Sequence, residues 1–135
     1  MTITTNLYGE EYFAWQSEVG KFGAWANKFK FEKSIREDFL VIDYGCGGGF
    51  LLEELHKGQK IGIEPNLQAA KSIKFENYRS IDETKENLNG RLADLIISNH
   101  ALEHSDDPLG DLIALRGLLK PGGAIHLVVP CESIK

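Results

Sequence analysis

The chain has 135 residues, of which 42% are hydrophobic and 26% are charged, and these proportions are typical of one globular domain. Its formal net charge is -5, so it lacks the basic surface of a nucleic-acid-binding domain, which counts against DNA or RNA as a partner. No apolar run approaches the ~20 residues of a membrane span, and the two cysteines, Cys46 and Cys131, are too few for a disulfide framework. The sequence therefore predicts a cytoplasmic protein that has neither a membrane nor a nucleic acid as partner.

Residues 1–37 form an aromatic-rich segment that holds eight of the thirteen aromatic residues. Apolar residues spaced three and four apart predict helices in this segment, and Gly20 and Gly23 predict a break or a kink between two short helices. We interpret the segment either as helices that bury their aromatic rings on the sheet or as a lid over a substrate pocket. The eight residues are Tyr8, Tyr12, Phe13, Trp15, Phe22, Trp25, Phe29 and Phe31.

A glycine-rich loop follows the first predicted strand, an apolar run from Phe39 to Asp43 that is typical of a strand buried on both faces. The loop has the pattern Asp-x-Gly-x-Gly-x-Gly, and an amphipathic helix is predicted after it, over residues 50–57, with Gly58 at its end. Glycines let the backbone turn sharply and let a ligand lie against it. Since open α/β sheets bind ligands at the carboxyl ends of their strands, Asp43 is a candidate site residue.

The spacing of the glycines disfavours a dinucleotide. Gly45 and Gly47 fit the first two positions of Gly-x-Gly-x-x-Gly, but the third position falls on Phe50. A nicotinamide-dependent oxidoreductase is therefore the weakest of the functional hypotheses. Cys46 lies inside the loop, where we expect a small packing residue rather than a nucleophile.

A second acidic residue ends the second predicted strand, which contains Ile61 and Ile63. Glu64 lies 21 residues after Asp43, and a carboxylate at this position can accept hydrogen bonds from both hydroxyls of a ribose. The next residue, Pro65, cannot continue a strand ladder. Asn66 is then predicted to cap a helix over residues 67–74.

The second half of the chain predicts two strands and a helix after a weak third strand over residues 75–81. Asp82 is a candidate cap for the charged segment 83–89. The fourth strand covers residues 91–100, and Asp107 and Pro108 predict the start of a helix whose apolar side holds five residues. Lys120-Pro121-Gly122-Gly123 predicts its end, before a fifth strand over residues 124–129. The five apolar residues are Leu109, Leu112, Ile113, Leu115 and Leu119.

Four of these motifs, in this order, resemble the class I S-adenosylmethionine-dependent methyltransferases over about residues 39–130. They are the glycine loop, Glu64 at the end of the second strand, the run from Ala93 to His104, and Leu118-Leu119-Lys120-Pro121-Gly122-Gly123 before an apolar strand. The resemblance implies a doubly wound, Rossmann-like α/β fold. Its sheet is mostly parallel with strand order 3-2-1-4-5, strands six and seven are missing, and the aromatic-rich helices precede it.

The resemblance also implies a function. The chain is expected to be a methyltransferase that transfers the methyl group of S-adenosyl-L-methionine to an oxygen, nitrogen or carbon atom of a small molecule, leaving S-adenosyl-L-homocysteine. The alternative hypothesis is a binding module that keeps the cofactor fold without catalysis and needs a partner chain. We divide the chain into residues 1–37, as lid or packing helices, and an α/β cofactor domain, residues 38–135, that is incomplete at its carboxyl end.

Site residues carry over from the family onto the matching positions. The glycine loop would hold the amino-acid part of the cofactor, Glu64 the ribose, and Ile81 with Asp82 the adenine, while Asn99 or His100 would line the methyl end. The implied cofactor-binding residues are Asp43, Tyr44, Gly45, Cys46, Gly47, Glu64, Pro65, Ile81, Asn99 and His100.

His100 and His104 are the candidate catalytic residues, because an imidazole can take a proton from an attacking hydroxyl or amine. The competing interpretation is structural, since His104 is also placed to hydrogen-bond the backbone near the next helix. Neither histidine lies in a pattern that suggests zinc, so we predict no metal. Without strands six and seven, the fifth strand would be an open apolar edge. A truncated chain is the favoured explanation, and the alternatives are a homodimer that covers this edge and a natural minimal form.

Overall fold

The computed structural model describes residues 10–131 and contains one five-stranded sheet with the order β3-β2-β1-β4-β5. Every pair of neighbouring strands is parallel. This confirms the predicted Rossmann-like α/β fold class and its strand order. The strands are β1 (Leu40–Tyr44), β2 (Gln59–Ile63), β3 (Glu76–Tyr78), β4 (Ala93–Asn99) and β5 (Leu119–Val128).

Helices connect the strands in the order expected of a doubly wound sheet. Short 3-10 helices lie at Lys28–Lys30, Glu32–Ser34 and Leu102–His104. The α-helices are α1 (Glu10–Asn27), α2 (Phe50–Glu54), α3 (Leu67–Ala70), α4 (Ile81–Asn87) and α5 (Pro108–Arg116). Among these described helices, none has the length and apolar character needed to cross a bilayer.

The core is divided between the two faces of the sheet, as alternating side chains of a central strand require. On one face, Val41 of β1 packs in a cluster with Leu52 and with Phe31, which is 1% exposed. On the other face, Ile42 packs in a cluster with Leu115. Burial on both faces is the reason that β1 is a continuous apolar run, and it leaves the carboxyl ends of the strands as the place for polar side chains.

The N-terminal helix differs from the prediction, since α1 is one continuous helix and the expected break at Gly20 and Gly23 is wrong. Both glycines are helical. A Cβ atom at Gly20 would lie 2.9 Å from the ring of Phe50, so this glycine permits a close approach to α2 rather than breaking the helix. Gly20 and Phe50 are thirty positions apart in the chain, so a local sequence pattern cannot reveal that a glycine is needed at position 20.

The expected burial of the aromatic residues is also mostly wrong. Trp15, Phe22, Trp25 and Phe29 are between 55% and 68% exposed, whereas Phe31 is fully buried. Tyr8 lies outside the described residues, and the description does not extend to the side chains of Tyr12 and Phe13.

Two helices are shorter than predicted. Helix α2 stops at Glu54 because Leu55 turns into an extended conformation, with ψ of 100°, and packs into the core at 1% exposure. Gly58, with φ of 86°, makes the turn into β2 instead of ending the helix. Helix α3 stops at Ala70, and the hydroxyl of Ser72 donates to the carbonyl of Ala69, a local bond that competes with continued helix.

The helix caps follow the sequence prediction at two of three positions. Asn66 caps α3 by accepting from the N–H groups of Gln68 and Ala69, and Asp107 caps α5 by accepting from Gly110. Asp82 does not cap α4. Ser80 does so, by accepting from the N–H of Glu83, because it occupies the extended position just before the first helical residue.

The region of α5 and β5 departs from the prediction in two ways. Leu109 and Ile113 are 68% and 64% exposed, so only part of the predicted apolar side of α5 is buried. The segment Lys120–Gly123 does not separate α5 from the last strand. It lies inside β5, at a register shift opposite Ala93 and Leu95, with Gly122 at φ of 81°. In the described part of the chain β5 pairs only with β4, and Leu127 on it is 38% exposed.

Candidate functional site

Two cavities open at the carboxyl edge of the sheet and share Gly45 of the glycine loop. The first, of about 440 Å³, lies between the loop, the end of β4 and α1. The second, of about 860 Å³, lies between the end of β2, the start of α4 and the segment from His100 to α5. This edge is the binding position expected of an open α/β sheet, beside the point where the order of the strands reverses.

The glycine loop is fixed to the neighbouring strand by backbone hydrogen bonds. The N–H groups of Gly45 and Cys46 both donate to the carbonyl of Ile63, at 2.8 and 3.1 Å. Gly45 has φ of 76°, and a Cβ atom there would lie 2.3 Å from the Cβ of Ala101. Glycine at position 45 is therefore required both by the backbone conformation and by the close approach of the segment after β4.

Glu64 ties the loop to the second strand, a role that the sequence did not predict. Its Oε1 atom accepts from the N–H of Gly47 at 2.9 Å, and its Oε2 atom accepts from the N–H of Asn66 at 2.9 Å. Each carboxylate oxygen has a further lone pair. Glu64 lines the second cavity, so a ligand there meets a carboxylate that is already held in place.

The first cavity contains one buried acceptor that lacks a donor and one nearly buried carboxyl group. The Oδ1 atom of Asn99 is buried and has no partner among the described residues; the other such atom, Oγ of Ser98, lines neither cavity. Asp43 is 2% exposed. Burial, with the nearby negative charge of Glu64, raises the pKa of Asp43 to about 8. Buried polar groups are nearly always paired, so Oδ1 of Asn99 favours a ligand that brings a donor.

The second cavity brings together several of the predicted residues. Glu64, Pro65 and Ile81 line it with His100 and His104. Asp82 and Arg79 lie on the same wall, and the guanidinium of Arg79 donates to the carbonyl of Glu64 at 2.9 Å. The predicted site residues are thus divided between the two cavities, with Asp43, Cys46, Gly47 and Asn99 in the first.

The two candidate catalytic histidines flank one carboxylate. His100 has φ of 53°, a left-handed conformation, and its Nδ1 atom lies 3.9 Å from Oε1 of Glu103. The Nε2 atom of His104 lies 3.9 Å from the same oxygen, and the side chain of His104 is 80% exposed. Neither histidine lines the first cavity with Asp43. Their role as bases stays a prediction.

Cys46 is placed as a packing residue. Its thiol is buried, and a Cβ atom at Gly62 would lie 2.6 Å from its sulfur. Burial and the charges of Asp43 and Glu64 raise the pKa of the Cys46 thiol far above its usual range. Since the thiolate is the nucleophile, this thiol is unreactive at neutral pH. No group of three or more residues suited to hold a metal ion occurs between residues 10 and 131.

Helix α1 forms one wall of the first cavity through residues that the sequence analysis did not single out as site residues. Gly20, Gly23 and Asn27 line the first cavity, opposite Gln68 and Ser72. The glycines on α1 were the sequence feature that could have indicated this wall. Glycines in a helical pattern, however, predict a break in the helix as readily as close packing against a neighbouring element.

Comparison with known proteins gives a family match over most of the chain. A family model described as "Methyltransferase domain" matches residues 12–135. A ubiquinone biosynthesis O-methyltransferase of Colwellia psychrerythraea is 37% identical over 110 residues, which are 73% of this chain and 44% of the relative. One of the same name from Citrobacter koseri is 34% identical over 97 residues, or 63% of this chain and 40% of the relative. The chain therefore spans less than half the length of these relatives.

Solved structures show the same fold at low sequence identity. A putative methyltransferase in complex with the Haloferax volcanii Trm112 methyltransferase activator has a TM-score of 0.66 and 21% identity, over 86% of this chain and 58% of that one. The plantazolicin methyltransferase BpumL in complex with SAH has a TM-score of 0.62 and 16% identity, over 90% of this chain and 54% of that one.

Proposed function

The chain belongs to the methyltransferase-domain family, in the class I S-adenosylmethionine-dependent group, and we propose that it binds S-adenosylmethionine across Gly45 and transfers its methyl group to a small molecule. The observation that carries this proposal is the pair of cavities that meet at Gly45, one with buried acceptors and the other with a fixed carboxylate. A ligand with a cationic end and a ribose fits both cavities at once.

The first cavity suits the amino-acid end of the cofactor. The α-ammonium group offers donors and positive charge, which match the buried acceptors of Asp43 and Asn99. The backbone at Gly47 leaves open space, since a Cβ atom there would meet nothing within 4 Å. The first cavity therefore offers hydrogen-bond acceptors and space for the methionine part of the cofactor, as the resemblance to the family implies.

The second cavity suits the nucleoside end. Glu64 would accept from the ribose hydroxyls with its remaining lone pairs while it keeps its bonds to Gly47 and Asn66. Ile81 and Pro65 offer apolar surface for the base, and Asp82 on the same wall would accept from the exocyclic amino group. Among the described residues that line this cavity, Arg79 is the one arginine or lysine, and its guanidinium already donates to the carbonyl of Glu64 and to the side chain of Asn77.

The cofactor supplies a methyl group on a positively charged sulfur, so the protein's task is alignment and exclusion of water. Asn99 and His100 follow one another at the end of β4 and line different cavities, which supports the proposal that the methyl end lies beside them. We assign the acceptor atom to oxygen because both curated relatives are named O-methyltransferases. His100, the less exposed of the two histidines, would take the proton of the acceptor hydroxyl.

The N-terminal segment would act as a lid on the first cavity. Helix α1 contributes Trp15 and Val19 to its lining, and α2 contributes Phe50, so one wall is apolar. Residues 1–37 would therefore help to exclude water from the methyl donor, and residues 38–135 would bind it.

Replacement of Glu64 tests the nucleoside end of the proposal. We expect Glu64→Gln to weaken S-adenosylhomocysteine binding by tenfold or more, because a hydrogen bond to a charged group contributes roughly 1.5–3 kcal/mol. Glutamine also keeps one acceptor for either Gly47 or Asn66 but not for both. Isothermal titration calorimetry measures the affinity directly.

Glu86→Gln is the matched control, because Glu86 is exposed on α4 and lines neither cavity. It makes the same change of charge and should leave the affinity unaltered. If the Glu64→Gln variant and the wild-type protein bind S-adenosylhomocysteine with equal affinity, Glu64 does not bind the ribose.

A further inference from the structure

One carboxylate outside the predicted site joins β1 to the segment after β4. The hydroxyl of Tyr44 donates to Oδ2 of Asp111 at 2.5 Å, and the hydroxyl of Ser105 donates to the same oxygen at 2.5 Å. Short hydroxyl–carboxylate bonds of this kind are among the stronger hydrogen bonds in proteins. We call Tyr44, Ser105 and Asp111 the Asp111 clamp.

The clamp closes a long loop in the chain. Tyr44 is the last residue of β1, and Asp111 lies 67 residues later in the first turns of α5. Ser105 is itself tied to this turn, because its hydroxyl accepts from the N–H of Asp107 at 3.1 Å, and Asp107 caps α5. The clamp therefore links the end of a buried strand to the start of a helix, and through Ser105 to the segment that joins the 3-10 helix Leu102–His104 to α5.

The segment between His100 and Asp107 is attached to the sheet at its amino-terminal end. The N–H of His100 donates to the carbonyl of Val128 at 2.7 Å, Ala101 lies close to Gly45, and Leu102 is buried at 8% exposure. Toward the carboxyl end of the segment, the hydrogen bonds of the clamp connect it to β1. This stretch also forms one wall of the second cavity, where His104 and Ser105 line it.

We propose that Ser105 and Asp111 are positioning residues. Because Asp111 accepts from both Ser105 and Tyr44 at the end of β1, these residues hold residues 100–107 in place as one wall of the second cavity. Tyr44 and Asp111 also line the second cavity, so the clamp forms part of the wall that it holds. Burial and the hydrogen bond to Asp111 raise the pKa of Tyr44 to about 12, so the hydroxyl stays a donor throughout the neutral range. The effect on cofactor affinity rests on the proposed function, whereas the effect on the segment does not.

The test uses Tyr44→Phe and Ser105→Ala, each of which removes one donor to Asp111. Tyr78→Phe is the matched control, because its hydroxyl donates to a carboxylate of Glu76 at 2.9 Å and Tyr78 lines neither cavity. Hydrogen–deuterium exchange of the free proteins is followed over residues 100–111, and S-adenosylhomocysteine affinity is measured by calorimetry.

We expect both clamp variants to exchange at least tenfold faster over residues 100–107 and to bind S-adenosylhomocysteine about tenfold more weakly, with Tyr78→Phe unchanged in both measurements. Unaltered exchange in both clamp variants would overturn the clamp itself. Faster exchange with unchanged affinity would overturn the positioning role. If the wild-type protein binds no S-adenosylhomocysteine, the proposed cofactor is wrong, and the exchange measurement alone decides whether the clamp holds the segment.

Discussion

Replacing Asp43 by asparagine is expected to stabilise the free protein at pH 8 while it weakens binding of S-adenosylhomocysteine by at least tenfold. Asp43 is 2% exposed, and its carboxyl group lies near the negative charge of Glu64. Its ionised form is therefore unfavourable in the free protein. Asparagine has nearly the same shape and no charge to bury, so it removes this cost.

The pH dependence of stability has a definite sign. Burial raises the pKa of Asp43 from 3.8 to about 8 in the folded protein. The unfolded chain therefore loses this proton first, and the contribution of Asp43 to stability declines as the pH rises from about 4 to about 8. At one pKa unit per ~1.4 kcal/mol, the total is on the order of a few kcal/mol. The Asp43→Asn variant should lack this decline, and urea unfolding at pH 5 and pH 8 measures it.

Cofactor binding should be coupled to the same proton. An ammonium group beside Asp43 favours the carboxylate, so binding below pH 8 releases a proton and affinity rises with pH up to that value. Calorimetry in two buffers that differ in ionisation enthalpy counts the released protons, and the Asp43→Asn variant should release none from this position. An unchanged affinity in the variant, or a lower stability at pH 8, would show that Asp43 does not have the environment described.

Gly45→Ala is expected to destabilise the protein by about 3 kcal/mol or more and to abolish binding of S-adenosylhomocysteine. Two costs add at this position. The left-handed backbone, with φ of 76°, costs an L-residue roughly 1–2 kcal/mol. The added Cβ atom would also lie 2.3 Å from the Cβ of Ala101, and overpacking typically costs about 1–3 kcal/mol. Because a Cβ atom has no torsion that can move it away, the segment after β4 must shift.

Gly47→Ala is the matched control, since Gly47 is also left-handed, with φ of 57°, but has nothing within 4 Å of the added atom. It should show only the backbone cost. The double variant Gly45→Ala with Ala101→Gly should recover the packing cost, because the next atom of residue 101, its Cα, lies 3.7 Å away. Urea unfolding of the wild-type protein, Gly45→Ala, Ala101→Gly and the double variant gives the coupling energy between the two positions. Equal losses at the two glycines would mean that residues 45 and 101 are not in contact.

The sheet could be predicted from the sequence because each strand is marked by a short apolar run within the strand itself. Apolar runs such as Leu40–Asp43 and Leu95–Ile97 are buried on both faces, and each ends in a polar residue or glycine at the ligand edge. The ends of parallel strands meet at that edge, so Asp43, Glu64 and Asn99 were found as candidates even though they are far apart in the chain.

The parts that were not predicted depend on contacts between distant residues. Gly20 lies within a helix, and the ring of Phe50 occupies the space that a larger side chain at this position would need. The hydroxyl of Tyr44 is oriented by its hydrogen bond to Asp111 of α5. Helix α2 ends early because Leu55 is drawn into the core. The close approach of Ala101 to Gly45 is likewise a contact that no spacing within the loop reveals.

The most direct test of the account is calorimetric titration of the wild-type chain with S-adenosylhomocysteine, with NAD as the control ligand. We predict binding of the homocysteine compound with release of a proton below pH 8, and no binding of NAD, because Phe50 stands where a dinucleotide loop needs its third glycine. A folded chain that binds NAD, or that binds neither ligand, would contradict the claim that these two cavities form the cofactor site.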